Sequence, residues 1–393
     1  MYKCELERKS LQFKIPAKTS RGTYAFHNIL VVHLEDEQGN VGYGECAPLP
    51  DLSSDRNAYH DLSQTHSIIS SYLQSLYFLA PLDLLAPLAP LAPLASLDIQ
   101  PQIVNLPALT FALESALLDI AHPAEIFSTP FAKGEAGIPI NGLIWMSDYD
   151  NMLRQIEKKL ADGFRCIKLK IGAINWSDEL ALLDIIRQRF SANDLTLRVD
   201  ANGAFPIAEA MRKLDELAAF DIHSIEQPIR QGNEQEMAFL CENSPVPIAL
   251  DEELIGIYAT EQKMKLLDTL KPQYIVVKPT LHGGLSGAIE WVALARKRNI
   301  GSWLTSALES NIGLRSIALL AAYLYGPDFT HTSNHAPDSP LLSPDFTHSS
   351  NHASNSSHPT PNSSLLFQGL GTGQLFVQNT PSTLHLSHDL LFL

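Results

Sequence analysis

Apolar positions divide the chain into stretches of different period. Ile29–Leu34 is mostly apolar and β-branched, Glu35–Asn40 reads as a turn, and Val41–Glu45 is extended again. This predicts a strand meander over residues 1–45. Residues 52–125 read as helical at both ends. From about residue 137, short apolar runs alternate with amphipathic segments. The strand candidates are Ile138–Trp145, Cys166–Ile171, Leu195–Val199, Ile222–Ile225, Ile248–Leu250, Tyr274–Val277 and Ser302–Leu304. Among the segments between them, Asp150–Leu160 carries Met152, Ile156 and Leu160 on one helical face, with Gly163 placed for a C-cap. Pro206 is placed to open a further helix from its first position, with Ile207, Met211 and Leu214 along one side. Strands alternating with helices predict a parallel sheet. Seven such units in a row favour a closed βα barrel over an open sheet.

Two segments break this pattern. Tyr77–Leu97 is as long as a membrane span, but it carries Asp83 and prolines at 81, 87, 90 and 93. Each proline inside a helix costs about 3 kcal/mol. A membrane helix is therefore not expected, and the Ala-Pro-Leu repeats read as an extended insertion over about 80–97. The second segment, about 327–364, holds PDFTHTSNHA at 327–336 and PDFTHSSNHA at 344–353. Its Ser/Asn/His-rich composition cannot build a core. The histidines at 331, 335, 348, 352 and 358 make only a weak metal candidate, because few acids and no cysteines accompany them.

Charge and cysteine usage narrow the function. The 393 residues contain 28 Lys and Arg against 43 Asp and Glu, a net charge of −15. A chain this acidic, with no basic block, is not expected to bind nucleic acid. Cys4, Cys46, Cys166 and Cys241 are scattered without a CxxC, which fits a reducing, cytoplasmic setting. Met1–Glu5 does not begin a signal peptide pattern.

The informative feature is where polar residues fall. Lys168 and Lys170 lie in RCIKLKIG, Asp200 and Asn202 in LRVDANG, Glu226 in SIEQP, Asp251 in IALDEE, Lys278 in YIVVKP and Ser306 in SWLTSALES. From Lys170 through Asp200, Glu226, Asp251 and Lys278 to Ser306 the separations are 30, 26, 25, 27 and 28 residues, about one βα unit each. In a barrel these residues gather at the C-terminal rim, where active sites form. Three converging carboxylates repel one another unless a cation sits among them. An all-oxygen donor set points to Mg²⁺ rather than zinc. The bland reading of each acid alone is a helix cap or a surface group. Lys168 and Lys170, two apart on a strand, face one side. Taken singly they read as an exposed edge pair; with Lys278 ending a strand across the ring, they flank a metal-bound substrate. Nearby positive charge is expected to lower a lysine's pKa and make it a usable base. Such a site can remove the proton α to a carboxylate.

At these residues the sequence resembles the enolase superfamily, muconate-lactonising subgroup, over nearly the whole chain outside the two low-complexity segments. TSRG at 19–22, GYGECAPLP at 42–50, TSALESNIGL at 305–314 and GLGTGQLF at 369–376 carry a further resemblance to one branch of it. That branch performs the syn dehydration of 2-succinyl-6-hydroxy-2,4-cyclohexadiene-1-carboxylate in menaquinone biosynthesis. The resemblance implies an α/β architecture: a (β/α)7β TIM-like barrel over 131–370, an α+β capping domain over 1–130, and a C-terminal segment, 371–393, packing back on the cap. It implies Mg²⁺, with Mn²⁺ able to substitute, on Asp200, Glu226 and Asp251. Lys170, beside Lys168, is the implied base, and Lys278 the charged partner across the site. Ser20, Arg21, Arg198, Asn202, Ser306 and Glu309 are the implied substrate-binding residues. Read one at a time, Arg21 and Arg198 are ordinary surface or rim arginines, and Ser306 and Glu309 are helix caps. The implied partner is a small carboxylate. Racemisation of N-acylamino acids, dipeptide epimerisation and muconate cycloisomerisation use the same lysines. Gly369-Leu370-Gly371 offers no acid near the eighth strand to hold a peptide amine. A non-catalytic barrel would be expected to have lost a lysine or a carboxylate. The eighth strand is expected near Leu366–Gly369.

Overall fold

The chain opens with an antiparallel sheet, β1 (Lys3–Thr19), β2 (Gly22–Glu35) and β3 (Val41–Cys46), in the order β1-β2-β3. This computed structural model describes residues 2–19, 22–77, 103, 105–121, 127–326 and 366–393. Ser20, Arg21, the Ala-Pro-Leu repeats and the histidine-rich repeat lie outside the described residues. The apolar run in β2 has a clear cause: β2 is the central strand and is covered on both faces. Leu30, Val32 and Leu34 pack with the helices α1 (Leu62–Tyr77) and α2 (Pro107–Ile120). Ile29 and Val31 face Phe13, Leu308 and Phe376, toward the barrel. The glycines of GYGE are required by close approach. A Cβ on Gly42 would lie 2.0 Å from Ala116 O of α2, and one on Gly44 1.7 Å from Ala112 O.

The barrel follows: β4 (Ile138–Pro139), β5 (Gly142–Ile144), α3 (Tyr149–Ala161), β6 (Cys166–Lys170), α4 (Trp176–Arg189), β7 (Thr196–Asp200), α5 (Ile207–Leu217), β8 (Ser224–Glu226), α6 (Glu234–Asn243), β9 (Ile248–Leu250), α7 (Thr260–Leu270), β10 (Tyr274–Val277), α8 (Gly284–Arg296), β11 (Gly301–Leu304) and α9 (Asn311–Tyr325). Seven strands, β5 to β11, pair in parallel in chain order. Helix α3 shows how local sequence sets the boundaries. Asp148 caps it by accepting from Asn151 N at 2.8 Å, Lys158 and Lys159 occupy its last turn, and Gly163 follows at φ +84°. Pro206 is not the first residue of its helix; it precedes α5 as the N-cap, with ψ 137°.

Closure needs an eighth strand, and it is short. Among the described residues, only Gln368 and Gly369 bridge the gap, to Ile140 and Thr305. Gln368 N donates to Pro139 O and Gly369 N to Leu304 O, while Asn141 N and Ser306 N donate to the carbonyls of Gln368 and Gly369. The C-terminal segment then divides. Phe376 bridges to Phe13 of the capping sheet. The hairpin β12 (His385–Ser387) and β13 (Leu390–Phe392) pairs instead with β4, below the barrel strands. Among the described residues no helix is long and apolar enough to cross a membrane.

Candidate active site

The parallel register brings the predicted polar residues together. Lys170 pairs with Asp200 across β6 and β7, and Asp200 with Glu226 across β7 and β8. Asp251 and Lys278 directly follow β9 and β10. All five stand at the C-terminal ends of their strands.

The charged groups are in direct contact. Lys168 Nζ lies 2.5 Å from Glu226 Oε2 and 2.8 Å from Asp200 Oδ2. Lys170 Nζ donates to Asp200 Oδ2 at 2.5 Å and to Asn202 Oδ1 at 2.7 Å. Lys278 Nζ pairs with Asp251 Oδ2 and stands 3.9 Å from Glu226 Oε1. Three ammonium groups thus balance three carboxylates, all of them buried.

These contacts set the titration of the groups around them. Burial alone would lower the Lys168 and Lys278 pKa values, but the carboxylates prevail and both are raised. At Lys168 the raising charges are Asp200 and Glu226; at Lys278, Asp251 comes first. Burial would raise Asp200 and Asp251, yet the neighbouring lysines hold both below the ordinary range. Glu226 goes the other way: burial, then repulsion from Asp200, push its carboxyl up.

The donor chemistry fits a hard divalent cation. Glu226 Oε1 and Asp251 Oδ1 are buried and accept no hydrogen bond. Two carboxylate oxygens in that condition are costly without a positive partner. Among the described residues, no group of three or more His, Cys, Asp or Glu forms a finished metal cage.

A pocket opens over the lysines. Its barrel walls include Asn141, Leu143, Trp145, Lys168, Lys170, Asn202, Glu252 and Lys278, and the capping domain contributes Tyr24, Leu49 and Leu52. The Thr305–Leu308 loop, Gly369, Gly371 and Thr372 close one end. Ser306 lines this end, but its hydroxyl is engaged. It donates to Glu309 Oε2 at 2.5 Å and accepts from Thr372 Oγ1 at 2.7 Å.

Two predicted substrate contacts are placed elsewhere. Arg198 shares the inward face of β7 with Asp200 but precedes it by two residues, so it lies one layer deeper. Its guanidinium carbon stacks 4.0 Å from the Trp303 ring centre, and Nη1 donates to Phe367 O at 2.9 Å. It supports the floor and does not line the pocket. Glu309 is fully buried behind the loop, accepting from Ser306 Oγ, Ala307 N and Thr280 Oγ1. It shapes the loop from behind.

Sequence reasoning missed Asn141, Trp145, Glu252 and Leu308. Asn141 had a readable signal: it is a polar residue inside the apolar run IPINGLIW. Leu308 had none, because its place depends on residues distant in sequence.

The comparisons with known proteins agree with this geometry. Residues 151–362 match the Enolase C-terminal domain-like family, and the chain belongs to the enolase superfamily. It is 43 % identical to the o-succinylbenzoate synthase of Desulfotalea psychrophila over 98 % of this chain and 97 % of that protein. The crystal structure of MenC from the same organism superposes with a TM-score of 0.73 at 38 % identity, covering 100 % of this chain and 99 % of the other. The substrate-liganded L-Ala-D/L-Glu epimerase of Bacillus subtilis shares the fold, with a TM-score of 0.71 at 17 % identity, over 99 % and 95 % of the two chains.

Proposed function

We propose that this chain catalyses the o-succinylbenzoate synthase reaction, the dehydration of 2-succinyl-6-hydroxy-2,4-cyclohexadiene-1-carboxylate to 2-succinylbenzoate, a step toward menaquinone. The observation that carries the reading is the 43 % identity along nearly the full chain to an o-succinylbenzoate synthase, with Lys170 and Lys278 both in one pocket. The cytoplasm is the compartment we assign to it.

Asp200, Glu226 and Asp251 would hold Mg²⁺, or Mn²⁺ in its place. When bound, the divalent ion draws charge from the substrate carboxylate and so acidifies the α-carbon.

Lys170 is the base. Asn202 Oδ1 fixes one of its N–H groups. In the neutral amine the lone pair is then free to take the proton from C1 of the ring. The electron pair from that C–H bond passes into an enediolate. Lys278, kept protonated by Asp251, offsets the negative charge that develops. The ammonium now on Lys170 gives its proton to the hydroxyl on C6. The C6–O bond breaks, water leaves, and the ring becomes aromatic. One lysine serves both steps because hydrogen and hydroxyl leave from one face. Leu49, Leu52, Leu143 and Trp145 form apolar walls that limit water around the reacting carbons.

An absorbance assay with the cyclohexadiene substrate and Mg²⁺ tests this. Turnover that stops on adding a chelator and returns with Mg²⁺ is expected. No turnover, together with racemisation of an N-succinyl amino acid, would replace this reading with that of a racemase.

A further inference from the structure

His27 of β2 and Glu45 of the GYGECAPLP segment take no part in the chemistry above, yet both reach the pocket's closing loop. Leu308 lines the pocket with φ +72°. It is the only aliphatic residue with a left-handed backbone among the described residues. A branched side chain in that region is held there by its surroundings, and such outliers gather at functional sites.

Two capping-domain side chains supply the restraint. His27 of β2 is buried, and its Nδ1 lies 2.9 Å from Leu308 O. A carbonyl only accepts, so Nδ1 carries the proton and donates. Burial lowers the pKa of this ring, so it is held neutral. Glu45, at the end of β3, is also fully buried. It accepts from Ser310 N at 2.8 Å, Ser310 Oγ at 2.5 Å and Gly313 N at 2.9 Å, at the start of α9. One residue is thus tied to Leu308 and the other to the helix two residues later. From the barrel side, Leu308 N donates to Ser306 Oγ at 3.1 Å, and Glu309 holds Ser306. The loop is fixed from both domains at once.

We propose that His27 and Glu45 are positioning residues that hold the 305–310 loop in its strained shape, so that the capping domain sets the fit of the substrate's succinyl chain. This rests on the function proposed above, with that chain lying at the Ser306 end. The pair touches no reacting atom, so its loss acts on binding before chemistry.

The test uses the full-length Mg²⁺-loaded enzyme. His27→Leu is expected to raise KM for the cyclohexadiene substrate at least tenfold with kcat within threefold of wild type. The dissociation constant of 2-succinylbenzoate should rise in parallel by calorimetry. His27→Asn, whose amide nitrogen can replace Nδ1, is expected to restore both to within threefold. In hydrogen exchange, residues 306–313 should lose protection in His27→Leu while α2 keeps its own. Unchanged KM in His27→Leu, or equal loss in the Leu and Asn variants, overturns the proposal. Should His27→Leu fail to fold, Glu45→Gln decides. The amide offers one acceptor oxygen to the donors of Ser310 and Gly313 in place of two, so KM should rise and residues 306–313 should lose protection, and an unchanged KM refutes the role. A wild-type enzyme without turnover defeats the functional reading instead, and the exchange measurement then decides the clamp by itself.

Discussion

Replacing Lys168 with methionine keeps the length and apolar stem of the side chain but removes the cation between two acids. Its ammonium lies 2.5 Å from Glu226 and 2.8 Å from Asp200. At an effective dielectric of about 20, each contact is worth about 6 kcal/mol of gross attraction. Most of this is offset by the cost of taking the ammonium out of water. Removing one member of a buried pair still leaves an uncompensated charge, which typically costs about 3–5 kcal/mol. Metal-free Lys168→Met is therefore expected to lose stability in that range, measured by urea denaturation followed by circular dichroism in chelator. Saturating Mg²⁺ should recover most of the loss, because the divalent charge faces the same two carboxylates. Wild type should gain less from the metal, since its acids are already paired. Equal stability of the two metal-free proteins, or equal gains on adding Mg²⁺, would refute the argument that Lys168 and the cation compensate the same charge.

Other perturbations separate chemistry from scaffold. Lys170→Ala should lower kcat by at least about a thousandfold, within the range general-base loss produces, with product binding retained; near-normal turnover would remove Lys170 from the mechanism. Gly44→Ala forces a methyl group to within 1.7 Å of Ala112 O, so β3 and α2 must separate, at an expected cost of about 3 kcal/mol read as a lower Tm. Burial holds the Glu114 carboxyl at about 7, against donors from Ser286 and Leu285 that pull it down, while the free side chain titrates near 4.5. The folded state therefore keeps a proton that the unfolded chain releases, and stability contributed by this group is lost as pH rises from about 5 through 7. That loss amounts to about 3 kcal/mol at 1.36 kcal/mol per unit, and Glu114→Gln should flatten this part of a Tm-against-pH curve.

The barrel was legible because two periods coincide in the sequence. Apolar strands recur with the βα unit, and one charged residue closes each of several strands. That is enough to bring Lys170, Asp200, Glu226, Asp251 and Lys278 to one rim from the sequence alone. What escaped depends on depth or on long-range pairing. Arg198 and Asp200 share one face of β7, and alternation does not say which layer meets the pocket. Glu309 is buried behind the loop, and Ser306, which lines the pocket, is held by Thr372, 66 residues beyond it. The direction of the lysine shifts turned on which charge lies nearer, and the carboxylates lie nearer than the other ammonium groups. Gly42 and Gly44 read only as extended chain; the helix backbone pressed against them comes from residues 112–116.

The barrel's last seam has a consequence for how the chain can be divided. Among the described residues only Gln368 and Gly369 complete the ring, yet 39 residues separate Leu366 from Gly326. The seam is therefore held by backbone hydrogen bonds to its two neighbouring strands and not by nearness along the chain. That makes it the natural place to split the gene: two fragments meeting between Gly326 and Leu366 would still carry every Lys, Asp and Glu of the site on the first piece. The second piece would bring the closing strand, Thr372 and the lower hairpin.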